Sequence, residues 1–495
     1  MVQRFNNPAA QGFFAPQRFE GEVADCEVEG TIPADMDGTF VRVGGEWFYP
    51  PKFPDDAALH SDGYVSAFRF KSGRVSYRGR FIQTPRYLSN LAPGRQQFGY
   101  YRNLLTNDEA VRTMNSTVSN TAPMAHAGKL YALKEDALPL QLDPVTLDTI
   151  GFDDFGGRIL SQTLSAHPKV DPLTGEMITF GYEATGPASD DLFVYFIDRA
   201  GTVTREIRVK VPYVSIIHDF AISQDHIIFP FGGYTTSMER LAQGKVHWGW
   251  DRTLPSMVGI MRRDGDGSDL RWFRGPERCM MHVLNATSEG DKVTLLAPFY
   301  ESNFFPFFAN VDGSPWDPSK AVCFFRKLTF DLSRPGDAWE EEILFPMPVG
   351  DLAKVDHRFN SLPTRYGFTS FADPDRPFDE ARAGNARGRI TNSYGRFDMH
   401  TGQVDRFFAG DTHALQECTF VPRRGSTSEG DGYLIGTASN LAEMRTELVI
   451  VDAQRLGEGE LARVFLPFRA ATQVHGYWYE AEELAPVGAA RGGQA

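Results

Sequence analysis

An all-β fold assembled from repeated hairpins, set out as the blades of a propeller, is what this sequence predicts, and three observations carry the prediction. Short runs rich in Val, Ile, Phe and Tyr recur along the chain, broken by Gly, Pro, Asp and Asn, which is the pattern of strands joined by turns. Helical patterns are few, which argues against a parallel sheet with crossover helices. Several segments repeat one order at wide spacing, a strand start, a polar turn and a second strand, as stacked or radial hairpin units do.

In chain order the strands are GTFVRVG (38–44), AFRFKSGRVSYRGRFI (67–82), GKLYALKE (128–135), MITFGYE (177–183) and LFVYFIDRAGTVTREIRVKV (192–211). HIIFPF (226–231), KVTLLAPF (292–299), GYLIGTA (432–438) and TELVIVDA (446–453) follow. Turns such as DPLTGE (171–176) and SEGD (288–291) suit hairpins, because Gly, Asp and Asn tolerate the backbone angles a tight reversal needs. The best helical stretch is TTSMERLAQGKV, 235–246. Composition does not break anywhere within 28–484, which reads as one domain; 1–27 is set apart as an N-terminal extension and APVGAARGGQA, 485–495, as a disordered tail.

A chain of 495 residues with 42% hydrophobic and 23% charged residues has material for a large core. The net charge of -14, with no like-charge block longer than EEE at 340–342, argues against nucleic acid or an anionic membrane as the main partner and favours a neutral or weakly charged small molecule. The N-terminus MVQRFNNPAAQGFFAP lacks the apolar core of a signal peptide, and no run of about 18 apolar residues follows, so the expectation is a cytoplasmic protein without a transmembrane segment. Cys26, Cys279, Cys323 and Cys418 form no CxxC pair, so a bound metal would be held by nitrogen and oxygen.

Most histidines in a folded chain are surface groups or satisfied core groups. His60, His226, His247, His357 and His400 sit among charged or turn residues and read that way, while His126 and His413 stay undecided. Four others share a distinctive setting at the edge of an apolar strand: His167 in LSAHPKV, His218 in SIIHDFAIS, His282 in CMMHVLNAT and His475 in TQVHGYWY. If those strands are inner strands of one propeller, they converge on its axis, where four imidazoles can meet one ion. Their separations match no local metal motif, so spacing alone leaves the bland reading standing.

An ordered series of phrases adds to this. VEGTIPADMDGTFVRVGG, SDGYVSAFRF, YALKEDALPLQLDPVTLDTIG, LSAHPKVDPLTGE, IHDFAIS, MHVLNA, LQECTFVPR with EGDGYLI, ELVIVDAQ and VFLPFRAATQVHGYWY span about residues 28–480. The chain thereby resembles the carotenoid cleavage oxygenases, most of all their bacterial lignostilbene dioxygenase branch. The resemblance implies a seven-bladed β-propeller with loops and short helices forming a cap over an axial metal site. It implies one Fe(II) per chain on His167, His218, His282 and His475, with the carboxylates of Glu135, Asp351 and Glu417 standing behind three of the rings. Neutral imidazoles suit Fe(II), and four of them leave two coordination positions for oxygen or water. Carboxylates accept a hydrogen bond from the other ring nitrogen and fix its tautomer. Relatives usually have glutamate where Asp351 stands, so its shorter side chain needs a closer backbone or a bridging water.

The same resemblance implies a substrate. Tyr101 and Lys134 match two phenol-binding residues of the stilbene-cleaving branch, and chemistry supports the pair: a phenol ionises near pH 10 unless a cation and a hydrogen-bond partner favour the phenolate. Phe305, in NFFPFF, offers a face for a substrate ring, and Leu59 stands where relatives can have an aromatic. The implied reaction is cleavage of the central double bond of a lignin-derived 4-hydroxystilbene with O2 to two aromatic aldehydes. Cleavage of another phenolic alkene, resveratrol or isoeugenol, or of an apocarotenoid is the enzymatic alternative, and a propeller serving as a binding scaffold the non-enzymatic one. A homodimer stays open. Lys134 and Glu135 adjoin, and strand neighbours face opposite ways, so both reach one site only if the backbone is irregular there.

Overall fold

The computed structural model describes residues 12–384 and 391–484; the tail at 485–495 and the first eleven residues of the extension lie outside them. Hydrophobic strands buried on both faces alternate with half-buried ones, and this sets the architecture. Met177–Tyr182 and His226–Phe231 are buried at every position, as strands pressed between two neighbouring sheets must be. Arg74–Phe81 alternates buried and more exposed residues, as an outer strand with one wet face does.

The result is the expected seven-bladed propeller. Five blades run in simple order outward from the axis: Ala122–His126 to Thr149–Phe152, Lys169–Val170 to Val203–Lys210, Ala221–Ile222 to Arg271–Gly275, Asn285–Glu289 to Glu340–Ile343, and the three-stranded Tyr366–Phe371 to Val404–Phe408. The remaining two close the ring twice. The C-terminal strand His475–Glu480 pairs with Gly38–Glu46 as the inner strand of the N-terminal blade. The N-terminal strand Glu27–Gly30 pairs with Glu460–Phe465 at the outer edge of the last blade. Part of the segment set apart as an extension, Gly21–Val23, adds an edge strand on Arg74–Phe81.

Hairpin chemistry matches the turns read from the sequence. In DPLTGE, Asp171 Oδ1 accepts the Leu173 N–H at 2.8 Å and Gly175 takes φ +71, a conformation a side chain disfavours. The helix expected over 235–246 is shorter, Met238–Ala242, capped by Ser237. Thr235 is drawn instead into a two-residue ribbon with Gly249, as a β-branched residue favours, and Gly244 at φ +69 ends the helical run.

The largest core cluster includes Phe180, Phe220, Phe229, Trp248, Trp250 and Phe325. Each fully buried aromatic of this kind contributes roughly 1.5–3 kcal/mol by area alone. Between the first and last blades, Arg42 is wholly buried; it donates to Thr437 Oγ1 and, at 2.7 Å, to the Gln473 carbonyl. The seam of the closed ring is thus pinned by a charged group with bonded partners.

Candidate functional site

In an antiparallel blade, the loop entering the inner strand and the loop joining the second and third strands fall at the same end. That end carries the chemistry. His167, His218 and His282 lie just before the inner strands Lys169–Val170, Ala221–Ile222 and Asn285–Glu289, and His475 opens His475–Glu480. Inner strands converge on the axis, so four residues far apart in sequence meet there.

All four imidazoles are buried, and one ligand atom from each falls within 4.8 Å of the others. Successive Nε2 atoms stand 3.1 Å (His167 to His218), 3.2 Å (His218 to His282) and 3.3 Å (His282 to His475) apart. Behind the rings, His218 Nδ1 faces Glu135 Oε1 at 3.2 Å, His282 Nδ1 faces Asp351 Oδ2 at 3.0 Å and His475 Nδ1 faces Glu417 Oε1 at 2.8 Å. A carboxylate only accepts, so each of these three rings carries its hydrogen on Nδ1. Burial pushes His167 well below, and His475 down to about 4 from, the usual imidazole value, which leaves both neutral at pH 7. Neutral rings protonated on Nδ1 present bare lone pairs on Nε2, and lone pairs 3.1–3.3 Å apart repel. A cation at their common point resolves that. Metal–nitrogen bonds of about 2.1 Å at right angles separate the nitrogens by about 3 Å, so the donor set fits a nitrogen-loving divalent metal.

Each carboxylate is placed by a local irregularity. Gln416 and Glu417 together oppose the single residue Thr437, a β-bulge in His413–Pro422 that turns Glu417 toward the axis. Glu417 is buried; burial opposes its charge, but Lys354 at 3.0 Å and His475 outweigh it and hold the carboxyl down to about 2. Its second oxygen accepts the Gly476 N–H at 2.7 Å. Strand Lys129–Leu133 ends before Lys134 and Glu135, so strand alternation does not force them apart: Glu135 meets His218 and Lys134 lies over the Tyr101 ring. Asp351 meets His282 directly, with the Tyr300 hydroxyl as a second partner, and needs no bridging water. Asp351→Ala is expected to lower metal affinity about 10- to 100-fold while leaving the fold intact, measured by anaerobic competition with a chelator.

Of the four remaining residues singled out in the sequence, Lys134 meets both Tyr101 and Leu59, and Phe305 lies beyond them. Lys134 is buried, with Nζ 5.2 Å from the Tyr101 ring centroid and 3.4 Å from the Leu59 carbonyl, to which it donates. Burial, then the Glu135 charge, hold the Tyr101 phenol well above its ordinary pKa, so it is a hydrogen-bond donor at neutral pH. Phe305 stands one ring further out: its centroid is 5.4 Å from Phe308, which is 6.0 Å from Tyr101.

Sequence reasoning missed Lys354 and the Asp56–His60 pair. Asp56 Oδ1 accepts the Tyr101 N–H at 2.8 Å, and its other oxygen faces His60 Nδ1 at 2.7 Å. His60, read as structural or solvent-facing, is buried edge-on to the Tyr101 ring at 5.6 Å. The only sequence signal was the D-x-x-x-H spacing, which has no specificity. From the opposite end of the propeller, a cavity of about 1020 Å³ lined by hairpin tips such as Gly128 and Leu173 reaches His167, His282 and His475. No helix among the described residues is long and apolar enough to cross a membrane.

Comparison with known proteins places these features in a lineage. A family model described as retinal pigment epithelial membrane protein matches residues 14–480. Lignostilbene-alpha,beta-dioxygenase isozyme III of Sphingomonas paucimobilis is 39% identical over 482 residues, 97% of this chain and 98% of that one. Isoeugenol monooxygenase of Pseudomonas putida is 39% identical over 478 residues, 96% of this chain and 98% of that one. The crystal structure of Pseudomonas brassicacearum lignostilbene dioxygenase superposes with a TM-score of 0.94 at 36% identity, covering 97% of this chain and 100% of that one.

Proposed function

This chain belongs to the retinal pigment epithelial membrane protein family, the carotenoid cleavage oxygenases, and from that premise we propose that it splits the central carbon–carbon double bond of a 4-hydroxystilbene with O2. The reaction balances without another reductant: one alkene and one O2 give two aldehydes. The observation that carries the substrate class is the buried Lys134 ammonium beside Tyr101, in the turn that also delivers Glu135 to His218.

His167, His218, His282 and His475 would hold one Fe(II), and Glu135, Asp351 and Glu417 would fix the tautomers of three of them. When bound, Fe(II) supplies open coordination positions and the electrons that activate O2. The chain's residues prepare the alkene. Lys134 Nζ, next to the substrate's 4-hydroxyl, favours the phenolate by its charge, and the Tyr101 hydroxyl donates a hydrogen bond to the same oxygen. The phenolate delocalises through the ring into the central double bond and raises its electron density where oxygen must attack. Phe305 and Phe308 bound the ring's apolar surroundings and exclude water.

A second reading has one observation in its favour. An isoeugenol monooxygenase is as similar to this chain as a lignostilbene dioxygenase is, each 39% identical, and isoeugenol is a 4-hydroxyphenyl alkene that the same Lys134–Tyr101 pair would hold. Oxygen uptake and aldehyde analysis with a lignostilbene, isoeugenol and an apocarotenal side by side test both. Two aromatic aldehydes from the hydroxystilbene are expected, and products from the apocarotenal alone would overturn the assignment.

A further inference from the structure

Next to Tyr101, three ionisable residues from three separate loops meet in the interior. Arg102 Nη2 donates to Glu183 Oε2 at 2.7 Å and Nη1 to the Tyr182 hydroxyl at 3.1 Å. Its guanidinium lies 5.5 Å from the ring centroids of both Tyr182 and Trp248. His247 is 1% exposed and points Nε2 at both Glu183 oxygens, 2.9 and 3.1 Å away, and Nδ1 at the Arg102 carbonyl, 3.1 Å away. The His247 backbone N–H donates to the Tyr101 carbonyl at 3.2 Å.

Glu183 faces His247 and accepts from Arg102 and from the Ala188 N–H at 2.5 Å. Burial opposes the charge on Glu183, and His247 with Arg102 hold its carboxyl below the usual range all the same. Two facts set this cluster apart from an ordinary buried ion pair. Arg102 and Glu183 both occupy the left-handed region, at φ +54 and +50, where a non-glycine residue is strained, and such strain persists where the surroundings enforce it and collects at functional sites. The cluster also grips the backbone of the residue proposed to bind the phenol: Tyr101 O is held by His247 and Tyr101 N by Asp56. The hydroxyl takes part in neither tie and is left for the substrate.

We propose that Arg102, Glu183 and His247 are positioning residues that set the Tyr101 hydroxyl against the substrate's phenolic oxygen, and so help select 4-hydroxylated alkenes. This rests on the phenol-binding role given to Tyr101 above. The charged cluster fixes two consecutive peptide units in a conformation they would otherwise leave, and a donor aimed at an oxygen loses most of its value when it moves by about an ångström.

A mutant cycle on the iron-loaded enzyme with a 4-hydroxystilbene tests this, using Glu183→Gln, Tyr101→Phe and the double variant. Glu183→Gln is expected to raise KM about tenfold with iron content unchanged, Tyr101→Phe to raise it by at least as much, and the double variant to match Tyr101→Phe. Equal effects of Glu183→Gln in both backgrounds would show a merely structural cluster and overturn the inference alone, as would no effect in either. A wild-type KM in Tyr101→Phe would instead remove the phenol reading and this inference with it. Where Glu183→Gln does not fold, His247→Gln takes its place in the cycle, with the same expected and overturning results.

Discussion

His218→Ala protein, purified and then offered Fe(II) anaerobically, is expected to hold less than about a tenth of the iron of the wild type, because it loses a direct donor and the loss should exceed the 10- to 100-fold typical of supporting residues. His218 Nε2 stands 3.1 Å from that of His167 and 3.2 Å from that of His282, so its loss removes a donor flanked by two others. The substitution has a second cost. Glu135 Oε1 loses its ring N–H partner, and Glu135 Oε2 already lacks one among the described residues. A buried carboxylate stripped of a hydrogen bond costs about 1–3 kcal/mol, so a lower melting temperature should accompany the loss of iron. Metal analysis of the purified variant is the check, and stoichiometric iron would remove His218 from the ligand set.

Lys134→Met separates metal binding from substrate activation. The variant is expected to retain full iron and to lose about 100-fold or more in kcat/KM toward a 4-hydroxystilbene, about 2.7 kcal/mol of transition-state stabilisation. Methionine keeps the length and apolar stem of the side chain, so the buried space is filled and the charge alone goes. What goes with it is the cation 5.2 Å from the Tyr101 ring and the donor to the Leu59 carbonyl. Iron content and steady-state kinetics must be read on the same preparation. Wild-type turnover would take Lys134 out of the reaction, whereas low turnover with low iron would mean that the adjoining Glu135 had moved.

The strands and blades were legible because burial on one or both faces writes itself into residue alternation, as in HIIFPF and RVSYRGRF. The four histidines were legible as a kind, each at the mouth of an apolar strand, but their meeting is a property of ring closure that no spacing encodes. The family phrases supplied it. Local backbone irregularity was legible only as a requirement at Lys134–Glu135, and its form there and at Glu417 was not. The two-for-one bulge that aims Glu417 at His475, and the early end of the strand before Lys134, are decided by pairing with residues far along the chain. The same limit hid the Arg102–Glu183–His247 cluster, since three single residues in three loops have no period, and His247 beside Lys245 and Trp248 reads like any loop histidine. Asp351 is the converse case: its shorter side chain cast doubt on the contact with His282, and the fold brings it to 3.0 Å regardless.

The double closure of the ring has a consequence for how the protein comes to exist in a cell. Three of the four imidazoles sit in the middle of the chain, but His475 arrives on the strand that seals the N-terminal blade. A nascent chain is made from its N-terminus, so blades can form in succession while the axial site still lacks a donor. A polypeptide stalled or clipped before its closing strand would be folded in large part and yet unable to grip a metal ion firmly. The full donor set is therefore complete only once the closing strand has been made and paired.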